Sequence, residues 1–388
     1  MTALLLISFI LLIIYSFLLL YYRTGWIRLP RYKPALDAAE SALPFISVII
    51  PARNEELHLP LLLKSLSNQS YPQNLFEIIL VDDHSTDNTV AYASSFSNVK
   101  ILHLKDFVPA GGINSYKKKA IETGISQSRG ELIVTTDADC IAGNNWLQTI
   151  GNFYHRYQPE LIVMPVSINC SNRAIEIFQA LDFMTLQGIT GAAVQLKLNS
   201  MCNGANMAYT KKAFHEVNGF QGIDLIASGD DMLLLHKIAK KNPEGIAFIK
   251  SPEVIIQTAP VETIREFFNQ RIRWASKADK YQDNKILPVL LLVYLLNLLL
   301  LIIPITAMFG RSVFNDKAQI GVLGYWLLLL LLKTLIELFF LYPVAVFFKK
   351  QQLLWLFPLA QPFHIIYTVI AGWLGKFGHY RWKGRNVK

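Results

Sequence analysis

The chain has little cysteine, and it lacks several motifs that would define other protein classes. Its three cysteines are an odd number without the spacing of a metal site, which argues against a disulfide framework and agrees with a reducing compartment. No Gly-x-Gly-x-x-Gly follows a predicted strand, and no Gly-x-x-x-x-Gly-Lys loop occurs. The sequence therefore favours neither a flavin or nicotinamide enzyme nor a nucleotidyl transferase with a phosphate-cradling loop.

Charged side chains are rare in four long apolar segments. Residues 1–22 and 286–309 carry none, residues 351–375 carry none apart from a histidine, and residues 320–348 carry one lysine and one glutamate. A bilayer core of roughly 30 Å needs about 20 apolar residues in a helix. We predict transmembrane helices at residues 1–22, 286–309 and 320–348. The first has no basic segment before it and no Ala-x-Ala site after it, so we predict a retained anchor and not a cleaved signal peptide.

The fourth apolar segment, residues 351–375, has two interpretations. Pro358 and Pro362 interrupt it, and a full crossing would place the tail outside, so we predict a re-entrant or interfacial element. An ordinary fourth span is the alternative. In the third segment, Lys333 and Glu337 lie four residues apart on one helix face, where we favour a structural ion pair over the lining of an acceptor path.

Acidic residues are absent from residues 23–33, which begin the linker after the first apolar segment, and from the tail at residues 376–388. The net charge of +9 is concentrated in part in the linker at residues 23–44 and the tail at residues 376–388. Cytoplasmic flanks are enriched in lysine and arginine, so we predict a multi-pass protein of the cell membrane with the charged middle of the chain in the cytoplasm. Because the clusters abut apolar spans, contact with membrane lipids explains them better than nucleic acid, and no nucleic-acid partner is predicted.

The charged middle of the chain, residues 45–285, is predicted to form one α/β domain. Apolar runs alternate with segments that have a helical spacing of leucines. Continuous apolar strands alternating with helices indicate a mostly parallel sheet. We predict strands at residues 46–50, 76–81, 99–104 and 131–136, and helices at residues 56–66, 87–96 and 117–128.

Polar and mainly acidic side chains follow three of these strands, at residues 51–55, 82–83 and 137–139. Open α/β sheets bind ligands outside the carboxyl ends of their strands. Mg²⁺ and Mn²⁺ prefer oxygen ligands and keep places for water and substrate phosphates. The pattern predicts a divalent cation and a phosphorylated ligand at this edge. A turn with two solvated aspartates is the alternative for Asp137 and Asp139 taken alone.

Two later motifs each have a structural and a functional interpretation. Asp230 and Asp231 precede an apolar helical stretch, so they could cap that helix or supply a general base. Gln270, Arg273 and Trp274 combine an amide, a guanidinium and an indole, which suit a diphosphate and a sugar face. Alternatively, they belong to a basic amphipathic helix on the membrane surface, since the next apolar run begins at residue 286.

Taken in order, these motifs resemble those of the inverting family-2 glycosyltransferases over roughly residues 45–280. The matching segments are residues 47–56, 81–87, 117–124, 137–139, 204–208, 230–231 and 270–274. The last has the Gln-x-x-Arg-Trp pattern of polysaccharide synthases and ceramide-glucosyltransferase-like enzymes. The family usually has Glu-Asp where this chain has Asp230 and Asp231. The resemblance implies an α/β fold of the GT-A type, with a Rossmann-like, mostly parallel sheet between N-terminal and C-terminal transmembrane helices.

The resemblance also implies a role for each matching residue. Asp139, helped by Asp137, would hold Mg²⁺ or Mn²⁺, and Asp231, next to Asp230, would be the general base. Asn206 and Trp274 would lie on the acceptor side. The residues implied for nucleotide-sugar binding are Pro51, Arg53, Glu55, Asp82, Asp83, Lys117, Asp137, Gln270 and Arg273.

The expected reaction is transfer of a hexosyl or N-acetylhexosaminyl group from a nucleotide-diphosphate sugar, most simply a UDP-sugar, with inversion. The acceptor is a lipid or a growing glycan. Three or four spans are few for a polymer channel, which favours a lipid or lipid-linked acceptor. The Gln-x-x-Arg-Trp pattern leaves a processive polysaccharide synthase open, and an inactive scaffold is a third interpretation.

Overall fold

The computed structural model describes residues 2–34, 42–108, 115–226, 228–276, 286–309, 316–378, 380–382 and 385–387. The chain divides into two compact units. The sheet unit consists of Arg28–Cys170 and Ile189–Pro260. The helical unit consists of Met1–Ile27, Ser171–Gly188 and Val261–Lys388.

In the described part of the sheet unit, ten strands form two β-sheets. The strands are β1 Ile46–Ala52, β2 Phe76–Asp82, β3 Val99–His103, β4 Leu132–Thr135, β5 Cys140–Ile141, β6 Leu161–Val163, β7 Val166–Ile168, β8 Met207–Thr210, β9 Ile246–Phe248 and β10 Ile256–Thr258. A seven-stranded sheet has the order β3-β2-β1-β4-β8-β6-β9, and a three-stranded sheet has the order β5-β10-β7.

The larger sheet is mostly parallel, as predicted. Strand β1 pairs in parallel with β2 and β4, and β2 pairs in parallel with β3. Only β8 runs antiparallel to its neighbours β4 and β6 among the described strands of this sheet. The middle of β1 is fully buried at Val48, Ile49 and Ile50, which agrees with an apolar strand covered on both faces. All four predicted strands are present, with ends that differ by two residues or fewer.

Six α-helices lie wholly within the sheet unit, counted over its described residues. They are α2 Leu59–Ser67, α3 Thr89–Ser94, α4 Tyr116–Ser126, α5 Trp146–Tyr157, α7 Lys211–Glu216 and α8 Met232–Lys241. Helix α4 packs very close to β1, because a Cβ atom on Gly124 would lie 2.6 Å from the side chain of Ile49. This close packing fixes the first turn of α4 beside the carboxyl ends of the strands. A seventh helix, α6 Ala174–Gln195, has residues in both units.

The helical unit contains helices long and apolar enough to cross a membrane, judged by length and composition. Such segments in the described chain are Ala3–Arg28, Ile286–Ala307, Ile320–Phe347 and Gln351–Phe377. These segments lie in α1 Thr2–Arg28, α10 Ile286–Phe309, α11 Asp316–Phe347 and α12 Phe357–Phe377 with the 3-10 helix Gln351–Leu356 before it. The shorter helix α9 Ile264–Ala275 also belongs to the helical unit. Strands β11 Tyr380–Trp382 and β12 Arg385–Val387 form a hairpin in the predicted basic tail.

The last apolar segment forms a 3-10 helix at Gln351–Leu356 and then α12, so it changes its helix type next to Pro358, whereas Pro362 does not end α12. Pro358 lies in the first turn of α12, where its missing N–H group has no helical partner in any case. Pro362 lies inside the helix, which nevertheless continues to Phe377. The helix is thus continuous and about 31 Å long at 1.5 Å per residue. Whether it spans the membrane or lies at its interface stays a prediction.

The ion pair predicted inside the third apolar segment is present. Lys333 Nζ lies 2.7 Å from Glu337 Oε1, and both side chains are buried. Gln361 of α12 accepts from Lys333 and donates to Glu337, and the hydroxyl of Tyr15 on α1 donates to Glu337 at 2.6 Å. These contacts favour the structural interpretation, because each charge is neutralised and hydrogen-bonded within the bundle.

Candidate active site

The site begins where β1, β2 and β4 end side by side in the larger sheet. In the parallel register Ala52 pairs with Asp82, and Ile49 pairs with Thr135. The loops that follow these strands therefore leave the same edge of the sheet. The chain proceeds from β1 to β2 on one side, while β4 lies on the other, which makes this edge a topological switch point.

The loops after β1 and β2 hold each other through several hydrogen bonds. Arg53 Nη1 donates to the carbonyl oxygen of Asp83 at 2.8 Å, and its distance from the Asp83 carboxylate is 3.8 Å. The side chain of Asn54 accepts from the backbone N–H of Thr86 at 2.8 Å. The backbone N–H of Glu55 donates to the Thr89 hydroxyl. The predicted loop at residues 51–55, including Pro51 at the end of β1, is thus fixed against the loop at residues 82–89.

Both aspartates at the end of β2 are buried and have polar neighbours. Asp82 accepts from the backbone N–H of Ser85 at 3.1 Å, and its other carboxylate oxygen is 3.4 Å from His103 Nδ1. Asp83 Oδ1 is 3.0 Å from His84 Nδ1. Only 5% of Asp82 and 4% of Asp83 are exposed, so these carboxylates are oriented by the loop.

Lys117 of α4 joins two of the predicted acidic motifs. Its ammonium lies 2.7 Å from Asp137 Oδ1 and 3.2 Å from Asp230 Oδ2. Burial alone would lower the pKa of Lys117, but the carboxylates of Asp137 and Asp230 outweigh it and raise the pKa above the ordinary value. Lys117 is therefore a fixed cation between the loop after β4 and the loop before α8.

The loop after β4 offers hard oxygen donors. Asp137 and Asp139 are half-buried, while Ala138 between them points into the core. Burial, reinforced by the neighbouring Asp139 and Asp137 carboxylates, raises the pKa of the Cys140 thiol well above its ordinary value, which keeps it a thiol and a poor metal ligand. The donor set thus fits Mg²⁺ or Mn²⁺, which one or two carboxylates and substrate phosphates commonly hold. No cluster of three or more histidine, cysteine or acidic side chains suited to a metal occurs within the described ranges.

Asp230 and Asp231 differ sharply in their surroundings. Asp230 is 8% exposed and is paired with Lys117. Asp231 is half-exposed and accepts from the backbone N–H groups of Met232 at 2.7 Å and Gly204 at 3.1 Å. It is also the N-cap residue of α8, so the predicted capping role is real. These bonds orient the Asp231 carboxylate and leave part of it accessible.

A comparison with known proteins decides what kind of domain carries this site. Residues 47–217 match the family model described as glycosyl transferase family 2. The chain carries a glycosyltransferase domain. The matched residues include every acidic strand end described above but not Asp230 and Asp231.

Two curated relatives and one solved structure are similar to this chain. A β-monoglucosyldiacylglycerol synthase from Nostoc sp. is 30% identical over 30% of this chain and 25% of its own. A dolichyl N-acetyl-α-D-glucosaminyl phosphate 3-β-D-2,3-diacetamido-2,3-dideoxy-β-D-glucuronosyltransferase from Methanococcus voltae is 25% identical over 60% and 72%. The mannosyltransferase PcManGT from Pyrobaculum calidifontis, solved with GDP-Man and Mn²⁺, superposes with a TM-score of 0.57 at 19% identity, covering 94% and 97%.

These likenesses confirm the predicted GT-A fold and the enzyme class of the domain. The chain spans about a third or less of the first curated relatives that it matches, so the reaction of the whole protein belongs to the proposal below. The Gln-x-x-Arg-Trp pattern lies outside the matched residues, and its role stays a prediction.

Asn206 lies in the core of the glycosyltransferase domain and not on an accessible surface. It is 0% exposed, and its amide nitrogen donates to the carbonyl oxygens of Pro165 and Val254 at 2.7 and 2.8 Å. Its side-chain oxygen accepts from Trp146 Nε1 at 3.0 Å. Since both ends of the amide are committed to buried partners, the geometry does not support the predicted contact with the acceptor. We reassign Asn206 to a structural role.

Replacement of Asn206 by alanine should therefore lower stability and leave donor recognition intact. The change would strand the buried indole N–H of Trp146 and remove a bond from the carbonyl groups of Val254 and Pro165, of which Pro165 keeps its bond from the Ile256 N–H. The expected cost is about 2–4 kcal/mol in the free energy of unfolding. Thermal unfolding of the detergent-purified protein measures this loss. Asn144→Ala is the matched control, because Asn144 is exposed, and it should change the free energy by less than about 0.5 kcal/mol. A stable Asn206→Ala variant with a raised KM for acceptor would restore the acceptor-binding assignment.

The Gln-x-x-Arg-Trp residues lie on α9 in the helical unit. Gln270, Arg273 and Trp274 are half-buried there. Arg271, between them, stacks over the Trp274 ring with its guanidinium carbon 4.1 Å from the centroid. One face of the indole is therefore covered by a cation, and the predicted sugar contact would have to use the other face.

Sequence reasoning missed two buried polar groups. Arg271 is 4% exposed and pairs with Asp182 of α6 at 2.6 Å, where the hydroxyl of Tyr367 also donates. Asp182 lies among apolar residues of α6, and this could have indicated a buried aspartate that needs a cationic partner. Lys118 of α4 is 2% exposed. Its burial could have been predicted from its position on the helix. Ile121 and Ile125, three and seven residues later, lie on the same face of α4 and are buried.

Proposed function

We propose that the protein is a membrane glycosyltransferase that moves a hexosyl or N-acetylhexosaminyl group from a nucleotide-diphosphate sugar to a lipid or lipid-linked acceptor, with inversion at the transferred carbon. The observation that carries the proposal is the convergence of the loops after β1, β2 and β4 and before α8. Lys117 links two of them through ion pairs of 2.7 and 3.2 Å. The residues at this edge supply one place for a nucleoside, one for a divalent cation and one for a base.

The nucleoside end of the donor would lie against Asp83 and the loop at residues 51–55. Arg53 stiffens that loop through its bond to the Asp83 carbonyl, and the buried Asp83 carboxylate can accept from a base N–H. A UDP-sugar is the simplest donor. Gln270 and Arg273 of α9 are proposed as further ligands of the diphosphate.

Asp139, helped by Asp137, would hold Mg²⁺ or Mn²⁺. Such a cation, when bound, neutralises the charge that develops on the departing diphosphate. Asp231 would take the proton of the acceptor hydroxyl as that oxygen attacks from the face opposite the diphosphate. The backbone N–H groups of Gly204 and Met232 hold the carboxylate of Asp231 in place for this step.

The acceptor class is supported by the helical unit and by the printed names of relatives. Four described segments are long and apolar enough to cross a membrane. One relative is named for a glucosylated diacylglycerol and another for a dolichyl phosphate sugar. We therefore place the protein in the cell membrane with its catalytic domain in the cytoplasm, and we favour a lipid acceptor over a growing polymer. Trp274 is proposed to contact the acceptor with the part of its half-buried ring that Arg271 and Phe183 leave accessible.

The test is diphosphate release by the full-length protein in detergent. We expect release from one member of a panel of UDP- and GDP-sugars, in the presence of Mg²⁺ or Mn²⁺, only when membrane lipid extract is added. EDTA should abolish it, because the donor phosphates would lose their counter-cation. Chromatography of the lipid fraction should show the labelled sugar on a lipid.

The other outcomes separate the alternatives. Release without lipid, with a polymer that a glycosidase digests, would favour a processive polysaccharide synthase. Absence of release from every donor by a folded protein would favour a scaffold. Formation of pyrophosphate instead of a nucleoside diphosphate would contradict glycosyl transfer.

A further inference from the structure

A buried lysine holds the loop that carries the two aspartates before α8. Lys118 is 2% exposed, although its ammonium is charged at neutral pH in water. The Nζ atom donates to the backbone carbonyl oxygens of Ile223, Ile226 and Ser228 at 2.9, 2.5 and 2.8 Å. A lysine ammonium has three N–H donors, so these contacts match its donor capacity.

The three carbonyl groups belong to one irregular segment. The loop connects α7, which ends at Glu216, with α8, which begins at Met232. It contains turns closed by backbone bonds such as Ile223 N–H to Phe220 O at 3.0 Å and Ile226 N–H to Ile223 O at 3.2 Å. Carbonyl dipoles that converge on one point repel each other unless a cation lies there. The conformation of this loop therefore depends on the Lys118 ammonium.

A second lysine in the same turn of α4 also binds this loop. Lys117 binds the Asp230 carboxylate at 3.2 Å, while Lys118 binds the backbone just before it. Neighbouring residues on a helix point about 100° apart, so the two lysines approach the loop from different directions. Gly124 allows α4 to pack closely against β1. The two lysines therefore fix the position of the loop relative to the sheet that carries the other carboxylates.

We propose that Lys118 is a positioning residue that sets the place of Asp231 relative to the strand ends. In this role Lys118 acts through the loop and not through a contact with substrate. The proposal rests on the proposed function of Asp231 as the base. A misplacement of about 1 Å at a reacting group can cost about 10²-fold in rate, so loosening this loop should lower kcat more than it changes donor binding.

The test compares Lys118→Met with Lys119→Met in the full-length protein. Both changes remove one positive charge from α4, but Lys119 is half-exposed and pairs with Glu122 of its own helix. For Lys118→Met we expect amide hydrogen exchange at residues 219–231 to accelerate at least about tenfold. We expect kcat to fall at least about tenfold, with the donor KM within about threefold. Lys119→Met should match the wild type in all three measurements.

Wild-type exchange at residues 219–231 together with wild-type kcat in Lys118→Met would overturn the proposal. Should Lys118→Met not fold, Lys118→Gln keeps two donors without the charge and should show the same changes in smaller measure; unaltered exchange and kcat in that variant would also overturn it. The exchange measurement needs no turnover. If the wild type transfers no sugar, the proposed function fails, and the exchange result still decides whether Lys118 holds the loop.

Discussion

Replacement of Asp139 by alanine is expected to lower kcat/KM by roughly 10²–10³-fold, as removal of one preorganised charge-stabilising group commonly does. Asp139 and Asp137 are the half-buried carboxylates directly after β4. Asp137 is already bound by Lys117 at 2.7 Å, so Asp139 is the carboxylate of this pair assigned to the cation. Its loss should weaken both the cation and the diphosphate that it anchors.

Two measurements separate this loss from a general defect. Mn²⁺ binding, followed by electron paramagnetic resonance in the presence of nucleoside diphosphate, should weaken together with kcat/KM. Asp106→Ala is the control, because Asp106 is an exposed aspartate of a short 3-10 helix after β3, and it should keep wild-type values. An Asp139→Ala variant with kcat/KM within about fivefold of wild type would contradict the metal assignment.

The strands that position this site could be predicted because their signal is local. Strands β1, β2 and β4 are continuous apolar runs, and Val48, Ile133 and Val134 are 0% exposed. A strand that is buried on both faces does not alternate between apolar and polar residues. It is a continuous apolar run, which can be recognised in the sequence. The carboxylates that follow such runs then share an edge, since parallel strands point the same way.

The antiparallel part of the sheet could not be predicted in this way. Strand β8 has only four residues, yet it lies between β4 and β6 and pairs with both. Its position follows from pairing with strands far away in sequence. A four-residue strand is too short for a periodic pattern, and β8 lacks the Leu-Ile-Val run that marks the equally short β4. The place of β8 in the sheet is therefore decided by tertiary packing.

The roles of polar residues could likewise be predicted only in part. The motif around Asn206 indicated an important residue, but its partners are the carbonyl oxygens of Pro165 and Val254. The partners of Lys118 are likewise backbone carbonyls. Every residue has a carbonyl group, so the sequence does not mark the ones that gather around a side chain. An ion pair between side chains, such as that of Asp137 with Lys117, can be anticipated from the sequence, because both partners are charged residue types.

Replacement of Asp231 by asparagine should lower kcat by roughly 10²–10⁴-fold, the range that a positioned general base contributes. Asparagine is as good an N-cap residue as aspartate, so α8 should keep its start. The amide can still accept from the Met232 N–H, whereas its NH₂ group cannot accept from Gly204 in place of the oxygen that now lies 3.1 Å from that nitrogen. The expected stability loss is only about 1 kcal/mol.

The decisive comparison for the base is between Asp231→Asn and Asp230→Asn, with donor affinity and kcat measured separately. Asp231→Asn should bind nucleoside diphosphate with near wild-type affinity, because the loops after β1, β2 and β4 are unchanged. Asp230→Asn should weaken the contact with Lys117, which now lies 3.2 Å from Asp230 and 2.7 Å from Asp137, and should therefore disturb donor affinity as well as kcat. If Asp231→Asn instead kept kcat within tenfold while Asp230→Asn lost more, the base would be Asp230, and Lys117 would have to release it before each transfer.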